Sequence, residues 1–414
     1  MTSSRDAGAG AATAKWLSIV GIGESGVAGL SEEAIACIRS AEIVFGGARH
    51  LDLAGGLIQN AARPWPSPFQ AGIAQVLAAR GRAVCVLASG DPFQFGVGAT
   101  LARHVAADEM HVVPHPSAFS LAAARLGWPL QEVETLSLHG RSLDLLRPWL
   151  HPGRRVLALT SGAESPAQIA ALLVANGFGA TLITVLERLG GPGERIRRII
   201  ACEDVPDDVD PLNVVALEVE AAPDARILPL AGGLADALFE NDGQITRFEV
   251  RALTLAALAP RRGDLLWDIG AGSGSIAISF LLADPSLRAC AIESDPMRAA
   301  RIARNAAACG VPHLAIVQGR APAALAGLAR PDCIFVGGGG RAGDLMDAAQ
   351  TALKPGGRLV VNAVTLETEA DLLARHARLG GDLVRIALAR AEPVGGLTGW
   401  RPAMPITQWR WVKP

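Results

Sequence analysis

The residues best suited to chemistry lie in a glycine-rich segment of the second half of the chain. This segment follows an apolar run that ends at Asp268. Its five consecutive residues are Gly270, Ala271, Gly272, Ser273 and Gly274. Glycines let the backbone turn tightly and approach a ligand closely, and free N–H groups at a helix start suit a carboxylate or a phosphate. We therefore predict a ligand-binding turn between a strand and a helix.

The spacing around this loop indicates the kind of ligand. A dinucleotide fingerprint reads G-x-G-x-x-G, but Ser275 stands where its third glycine would be. The next strand candidate ends at Glu293, nineteen residues after Gly274. An acid at that position can accept hydrogen bonds from both ribose hydroxyls. The pattern favours an adenosine-containing ligand over NAD.

The first half of the chain has a glycine turn of its own. Gly21, Gly23 and Gly26 match G-x-G-x-x-G after the opening apolar run. The next strand candidate runs into Gly46 and Gly47, so no acid stands where a dinucleotide site would need one. A dinucleotide site is therefore disfavoured here as well.

Two further polar groupings of the first half could take part in chemistry. Gly90, Asp91 and Pro92 follow an apolar run, and a carboxylate in such a turn can hold neighbouring N–H groups. We single out His139 and Arg141 as the candidate catalytic pair, for carboxylate binding or proton transfer. The alternative is that His139 caps a turn between a strand and a helix.

Two arginine clusters have two interpretations each. Forked guanidiniums can recognise a polycarboxylate, but arginines at such spacings also form solvated helix faces. The clusters are Arg195, Arg197 and Arg198, and Arg298, Arg301 and Arg304.

Composition excludes several classes of protein. The chain has 414 residues, enough for two or three domains, and 38 basic against 40 acidic residues give no global electrostatic case for nucleic acid. No apolar run reaches the roughly 18 residues of a membrane-spanning helix, and the N-terminal stretch lacks the apolar core of a secretory signal. The six cysteines contain no C-x-x-C pair, so we expect no metal site and a cytoplasmic protein.

Short β-branched runs alternate with helical patterns along the whole chain, which predicts an α/β protein. We place domains at 15–222 and 230–414, because an acidic, proline-rich stretch separates them. The predicted strands of the first half are 16–20, 43–45, 83–87, 111–113, 156–160, 181–185 and 214–219. Those of the second half are 265–269, 289–293, 314–317, 333–336, 358–363, 384–389 and 407–412. We expect only a loop between the last two, which should therefore pair antiparallel.

The second half resembles the class I S-adenosylmethionine methyltransferases, and in particular the CbiT-type precorrin methylases. The resemblance rests on the glycine loop and Glu293, on the segment 241–251 and on the glycine run from Gly337. It implies a Rossmann-like fold. The implied cofactor residues are Thr246, Gly270, Ala271, Gly272, Ser273, Gly274, Glu293 and Ala321, with the backbone of Ala321 bordering the adenine. Gly337, Gly338 and Gly339 would leave space for a bulky, flat substrate, although a flexible loop over an empty cleft is the alternative. A hydroxyl at Thr246 also reads as a helix N-cap.

The first half resembles the tetrapyrrole methylases (class III methyltransferases), in their CbiE-like branch. The matching motifs are the opening glycine turn, the Gly90-Asp91-Pro92 turn, the segment 138–141 and the segment 187–195. The resemblance implies a two-lobed fold with S-adenosylmethionine in the cleft between the lobes. Gly90, Asp91 and Pro92 would then bind the cofactor, and Gly21 and Gly23 would border the substrate. This sequence has Glu24 where the family often has proline.

The two halves in this order resemble the precorrin-6Y C5,15-methyltransferases (decarboxylating) of cobalamin biosynthesis. The resemblance implies methylation at C-5 by the first half, and methylation at C-15 with loss of the ring C acetate carboxyl by the second. The product would be precorrin-8. It also implies one S-adenosylmethionine per half, a tetrapyrrole substrate and a homo-oligomer. The alternative is a methyltransferase of RNA or protein in which one half is a non-catalytic binding module.

Overall fold

The computed structural model describes residues 15–337 and 343–414. The chain divides into two compact units. The first comprises the residues up to Arg141 together with His151–Arg226, and the second comprises Ser142–Leu150 and Ile227–Pro414. None of the helices in these described ranges has the length and apolarity that a membrane crossing requires.

A parallel five-stranded sheet opens the first unit, with strand order β3-β2-β4-β1-β5. Its strands are β1 (Leu17–Ile22), β2 (Ile43–Gly46), β3 (Ala61–Pro64), β4 (Val84–Ser89) and β5 (Met110–Val113). The accompanying helices are α1 (Glu32–Ser40), α2 (Ala48–Ala54), α3 (Phe69–Ala78) and α4 (Val97–Leu101). Successive side chains of a strand point to opposite faces, so Leu17 and Ile19 enter one hydrophobic cluster while Val20 and Ile22 enter another. Burial on both faces explains why the sequence of β1, LSIVGI, is apolar except at Ser18.

A second five-stranded sheet completes the first unit, in the order β6-β7-β10-β8-β9. Only β6 and β7 pair in parallel in this sheet. Its strands are β6 (Val133–Ser137), β7 (Arg155–Leu159), β8 (Leu182–Glu187), β9 (Arg195–Ile200) and β10 (Asn213–Glu218). The helices of this part are α5 (Ala118–Leu126) and α6 (Ser165–Ala175).

The second unit is built on a seven-stranded sheet of order β13-β12-β11-β14-β15-β19-β16. Its strands are β11 (Leu265–Ile269), β12 (Arg288–Glu293), β13 (Ala315–Gln318), β14 (Cys333–Val336), β15 (Arg358–Ala363), β16 (Asp382–Ile386) and β19 (Ile406–Val412), and a separate hairpin comprises β17 (Ala389–Val394) and β18 (Leu397–Pro402). The helices are α7 (Phe248–Leu258), α8 (Ser275–Leu281), α9 (Pro296–Ala308), α10 (Gly343–Ala352) and α11 (Leu366–Leu379). The Rossmann-like α/β fold predicted from the sequence is confirmed.

The strand order of this sheet fixes where a ligand can bind. The chain winds outward from β11 through β12 to β13, then returns to place β14 on the other side of β11. Ligands of open α/β sheets bind at the carboxyl ends of the strands where the order reverses. The glycine loop that starts at Gly270 lies at this switch point.

Some elements differ from the sequence predictions. Strands β3, β6 and β9 were not predicted, and β9 carries Arg195 and Arg197. Strands β16 and β19 are antiparallel, as predicted. The prediction of a simple loop between them is wrong, because the exposed hairpin β17–β18 lies there.

Candidate active sites

The first unit encloses a cavity of about 650 Å³. Its wall includes Gly23 and Gly90, which follow β1 and β4, His139, which follows β6, and Asn213, which begins β10. Small-molecule sites usually measure about 300 to 1,000 Å³. The cavity between the two sheets is therefore the candidate active site of this unit.

The turn after β4 borders this cavity. Gly90 lies in the wall and has a positive φ of 55°. Oδ1 of Asp91 accepts a hydrogen bond of 2.8 Å from the backbone N–H of Phe93, and the Pro92 carbonyl accepts one of 2.9 Å from Gly98. Within the described residues, Asp91 and Pro92 shape the turn and are not part of the wall.

The two glycines after β1 have different positions. A side chain at Gly21 would collide with the carbonyl oxygen of Gly90 and the backbone of His115. Gly21 therefore allows two loops to pack backbone against backbone, and in the described chain it does not reach the cavity. Gly23 does line the cavity, and a side chain there would collide with the ring of His115.

The structure separates the two candidate catalytic residues. His139 lines the cavity, and its Nδ1 donates a hydrogen bond of 3.1 Å to the carbonyl of Thr160. A carbonyl oxygen can only accept, so this bond places a proton on Nδ1 and selects the tautomer in which Nε2 is the acceptor. Arg141 is exposed and, in the part of the chain described, lies outside the wall.

A charged cluster on the cavity wall and directly beside it was missed by the sequence analysis. The Glu24 carboxylate forms ion pairs with Arg49 and, at 3.2 Å, with Nη1 of Arg188. Nε2 of His50 lies 2.8 Å from Oγ of Ser89. Burial, together with the nearby charge of Arg49, lowers the pKa of His50 to about 4, so His50 is neutral at pH 7. Partners this far apart in sequence give no spacing signal.

Aromatic side chains form another part of the wall. Phe69 and Phe95 are 41% and 50% exposed although they are large and apolar. Phe69 packs edge-on against Trp65 with their ring centroids 5.1 Å apart, and Phe95 packs edge-on against Phe119 with ring centroids 5.9 Å apart. All four line the cavity, so it offers aromatic surface to a flat ligand.

The arginine cluster at Arg195, Arg197 and Arg198 is not a helix face, because all three belong to β9. Both Arg195 and Arg197 form ion pairs with the buried carboxylate of Glu187 and with Asp208. Their charge is thus matched inside the unit. The cluster holds β9 onto β8 and gives no support to polycarboxylate recognition at this place.

In the second unit the glycine loop has the geometry that its sequence predicted. Gly270, Gly272 and Gly274 have positive φ values of 74°, 59° and 76°, which favour glycine. The N–H of Gly270 donates to the carbonyl of Ile292 at 2.9 Å. A side chain at Gly274 would collide with Ile302 of α9.

Glu293 lies at the end of β12 beside this loop. Its side chain is buried, and Oε2 accepts a hydrogen bond of 2.9 Å from the N–H of Gly272. Oε1 accepts one of 3.0 Å from the N–H of Asp295. The carbonyl of Glu293 accepts one of 2.9 Å from Gly319, in the loop after β13. One residue thus links three loops at the carboxyl edge of the sheet.

Asp268 is the buried acid that precedes the loop. Its Oδ2 accepts a hydrogen bond of 3.0 Å from the N–H of Ala277, while Oδ1 has no partner among the described residues. Burial raises the pKa of Asp268 to about 7, and the charge of Glu293 acts in the same direction. Ser273 is also buried, and its Oγ likewise has no partner in the described part of the chain. Ala271 packs partly buried against the core.

The segment 240–247, which we name the strap, is tied to α9 by charge. Asp242 accepts a hydrogen bond of 2.9 Å from Nε of Arg298 and lies 3.0 Å from Nη1 of Arg301. Glu240 pairs with Arg304 at 2.8 Å. The second arginine cluster therefore binds acidic residues of its own chain.

The strap also passes close to the glycine loop. The carbonyl oxygen of Gln244 lies 3.7 Å from the position a Cβ at Gly272 would take. The fully buried Arg251 donates from Nη1 to the carbonyl of Thr246 at 2.6 Å. The expectation that Thr246 caps the helix is wrong, because α7 begins at Phe248 and its N-cap is Arg247.

The remaining predicted residues of this unit lie near the same sheet edge. Ala321, in the loop after β13, packs partly buried against a hydrophobic cluster. Gly337 is exposed directly after β14, and its N–H donates to the carbonyl of Ile269 at 3.3 Å. Gly338 and Gly339 lie outside the described residues.

Family models match both units. A model described as tetrapyrrole (corrin/porphyrin) methylases matches residues 17–200, and one described as precorrin methyltransferase domain matches residues 237–413.

A Sinorhizobium protein called precorrin-6Y C(5,15)-methyltransferase [decarboxylating] is 60% identical over 398 residues, which cover 96% of this chain and 96% of that protein. The chain belongs to the precorrin-6Y C(5,15)-methyltransferase (decarboxylating) family. A family member from Mycobacterium tuberculosis (strain CDC 1551 / Oshkosh) is 43% identical and covers 95% of this chain and 99% of its own length. The cobalt-precorrin-6B C(15)-methyltransferase (decarboxylating) of Salmonella typhimurium is 38% identical over 168 residues, 39% of this chain and 85% of that protein.

As a member of the precorrin-6Y C(5,15)-methyltransferase family, this chain is a methyltransferase of the decarboxylating kind, and such enzymes use S-adenosylmethionine. The residues around the glycine loop fit that cofactor. Glu293 presents a carboxylate beside the positive-φ glycines, and the buried Oδ1 of Asp268 has no partner in the described chain. These are acceptors of the kind that a ribose and an ammonium group require.

Proposed function

We propose that this chain methylates precorrin-6Y at C-5 with its N-terminal domain and at C-15 with its C-terminal domain, and that the latter removes the ring C acetate carboxyl as CO₂. The product is precorrin-8. The near full-length match to the Sinorhizobium relative carries the proposal. We assign the domains to 15–222 and 230–414. The Salmonella relative, whose name gives only C(15) methylation with decarboxylation, matches 39% of this chain, which fits one domain.

We assign one S-adenosylmethionine to each domain. When bound, it supplies an electrophilic methyl group. In the C-terminal domain Glu293 would hold the ribose hydroxyls, the glycine loop Gly270–Gly274 and the strap residue Thr246 would meet the methionine part, and Ala321 would border the adenine. In the N-terminal domain Gly90, Asp91 and Pro92 would hold the cofactor through the turn they form.

The chain's part in C-5 methylation is mainly positioning. Holding the acceptor carbon, the methyl group and the sulfur in line supplies much of the rate. The aromatic wall at Phe69 and Phe95 would hold the flat macrocycle, beside Gly23. His139 would accept a proton or a hydrogen bond through its free Nε2, and Arg141 would meet a substrate carboxylate. Gly21 would act through the packing that places the neighbouring turn.

The C-terminal domain would add methylation at C-15 and the loss of CO₂. In that loss, the bond between the acetate carbons breaks, its electron pair passes into the conjugated macrocycle, and a proton from solvent completes the methyl group left behind. Gly337, Gly338 and Gly339, which follow β14 in the sequence, would leave room for the macrocycle because they carry no side chains. A dry pocket favours decarboxylation because it removes water from the carboxylate.

We further propose a cytoplasmic homo-oligomer that binds no nucleic acid. The net charge of −2 supports the last point.

Titration of the full-length chain with S-adenosylhomocysteine, followed by calorimetry, tests the two-site assignment. We expect two sites per chain, and one site after Glu293→Ala. A single site in the unmodified chain would contradict it and would mark one domain as a binding module.

A further inference from the structure

The carboxylate of Glu24 is held between two guanidiniums that come from different sheets of the first unit. Arg49 belongs to α2, beside the parallel sheet, and Arg188 directly follows β8 of the other sheet. Oε1 of Glu24 pairs with Arg49, and Oε2 lies 3.2 Å from Nη1 of Arg188. Only 10% of the Glu24 side chain is exposed. The two arginines therefore form a receptor that demonstrably accommodates a carboxylate.

The receptor keeps its shape through bonds that do not involve Glu24. Nη2 of Arg49 donates a hydrogen bond of 2.9 Å to Oγ of Ser89. Nε of Arg188 donates one of 2.6 Å to Oδ2 of Asp210. Both guanidiniums would stay in place if the Glu24 side chain moved away. Their side chains are 37% and 46% exposed, so a ligand can reach them.

The receptor belongs to the cavity already described. Glu24, Arg49 and Ser89 line it, and Arg188 lies beside the wall, between the lining residues Leu186 and Leu189 in sequence. Arg188 has a positive φ of 46°, a conformation that is uncommon for residues other than glycine and that clusters at functional sites.

Charge also favours exchange of one carboxylate for another. With Glu24 in place, the charges of Glu24, Asp210, Arg49 and Arg188 cancel. If Glu24 turns away, one positive charge is left at the cavity wall. His50, the neighbour of Arg49, is neutral at pH 7 because its pKa is about 4. The site then demands an anion, and the forked guanidinium matches a carboxylate best.

We infer that Arg49 and Arg188 bind a carboxylate side chain of the tetrapyrrole, and that Glu24 occupies this subsite in the free enzyme. The inference rests on the proposed function, which supplies a substrate with acetate and propionate groups. Glu24 is then an internal competitor of the substrate, and its removal strengthens substrate binding. A purely structural role for Glu24 predicts the opposite sign.

Steady-state kinetics of C-5 methylation in the full-length enzyme test whether loss of the Glu24 charge strengthens or weakens substrate binding. Arg49→Gln and Arg188→Gln should each raise the KM for precorrin-6Y roughly tenfold, since each removes a charge-assisted hydrogen bond. Glu24→Gln should lower that KM, with the KM for S-adenosylmethionine unchanged. Glu134→Gln is the matched control, because Glu134 pairs with Arg154 at 3.1 Å and, among the described residues, neither lines the cavity. A rise in the KM for precorrin-6Y in Glu24→Gln would overturn the inference, and so would an unchanged KM in both arginine variants.

A binding measurement keeps this test independent of turnover. Each variant is titrated with uroporphyrin, a stable tetrapyrrole polycarboxylate, and with its methyl ester, while tryptophan fluorescence is recorded. We expect Glu24→Gln to bind the acid more tightly, the arginine variants to bind it more weakly, and no variant to change binding of the ester. Loss of methyl transfer to precorrin-6Y in the unmodified enzyme, with this pattern intact, would count against the proposed function alone. Equal binding of the acid by all variants would overturn the carboxylate subsite.

Discussion

The backbone N–H of Gly272 donates a hydrogen bond of 2.9 Å to the side chain of Glu293. This contact joins the glycine loop to the end of the neighbouring strand at the switch point of the sheet. The backbone carbonyl of Glu293 accepts a hydrogen bond from the N–H of Gly319. The acid therefore organises the loops and also presents a carboxylate to the proposed ribose site.

Glu293→Gln should weaken cofactor binding in the C-terminal domain. The amide keeps the shape but removes a charge-assisted acceptor worth about 1.5 to 3 kcal/mol, or roughly ten- to a hundredfold in affinity. The measurement is the KM for S-adenosylmethionine in C-15 methylation, with C-5 methylation by the same chain as the internal reference. Glu369→Gln, which removes the ion pair between Glu369 of α11 and Arg385 of β16, is the control. Equal loss in both methylations would contradict the assignment of Glu293 to the second site.

A change in the strap should also weaken cofactor binding at this site, but less than a change at Glu293. Asp242→Asn should raise the KM for S-adenosylmethionine in C-15 methylation by up to about fivefold, because partly exposed ion pairs contribute little. Added salt should produce a similar rise in the unmodified enzyme. Arg262→Gln breaks the exposed pair with Asp284 and should change nothing. A large fall in kcat with constant KM would show that the strap does not act through the cofactor.

Acid should release the strap only at very low pH. Arg301 and Arg298 lower the pKa of Asp242 to about 2 from its ordinary value of 3.8. A depressed pKa gives a stabilisation that is present above 3.8 and is lost as the pH falls towards 2. Hydrogen exchange of the strap amides should therefore not report release of this ion pair between pH 7 and pH 5. Release near pH 5 would show that the ion pairs with α9 do not hold it.

Asp268 should make the stability of the second unit depend on pH in the opposite sense. Burial raises its pKa to about 7, so its stabilisation is present below 3.8 and is lost as the pH rises through 7. Asp268→Asn removes the free-energy cost of burying an ionised carboxylate, which is on the order of a few kcal/mol at most. The unfolding midpoint of the variant, relative to that of the unmodified chain, should rise as the pH is increased from 5 to 8. A constant difference across this range would mean that Asp268 does not titrate there.

The two candidate catalytic residues should differ in effect because only His139 lines the cavity. His139→Ala should lower kcat for C-5 methylation by about a hundredfold, the usual scale of acid–base catalysis. Arg141→Ala should act mainly on the KM for the tetrapyrrole, by up to about fivefold. Rapid quench with product analysis separates the two effects. A larger loss of kcat at Arg141 would reverse the assignment.

The sequence predicted strand bounds well where the whole strand is buried. Strands β11, β14 and β15 match the predicted bounds because each is a buried, mainly apolar run between turn residues. Strand β9, in contrast, reads RIRRII, and two of its three arginines pair with Glu187 on the neighbouring strand and with Asp208. A search for apolar runs cannot find a strand whose charged side chains are paired with residues elsewhere in the chain.

The glycine loop and Glu293 were predictable because their chemistry is local in sequence. The cluster at Glu24 was not, because Arg49 and Arg188 lie 25 and 164 residues away. The ion pairs of the strap could not be predicted either, since Asp242 and Arg298 are separated by 56 residues. Such contacts depend on which loops the fold brings together.

The mass of the product formed from precorrin-6Y and S-adenosylmethionine tests the central claim most directly. The full-length chain should yield a product that has gained two methyl groups and lost one CO₂. Glu293→Ala should yield one methyl gain without loss of CO₂, because the C-terminal domain would be impaired. A full-length chain that transfers no methyl group to precorrin-6Y, while binding S-adenosylhomocysteine, would contradict the account.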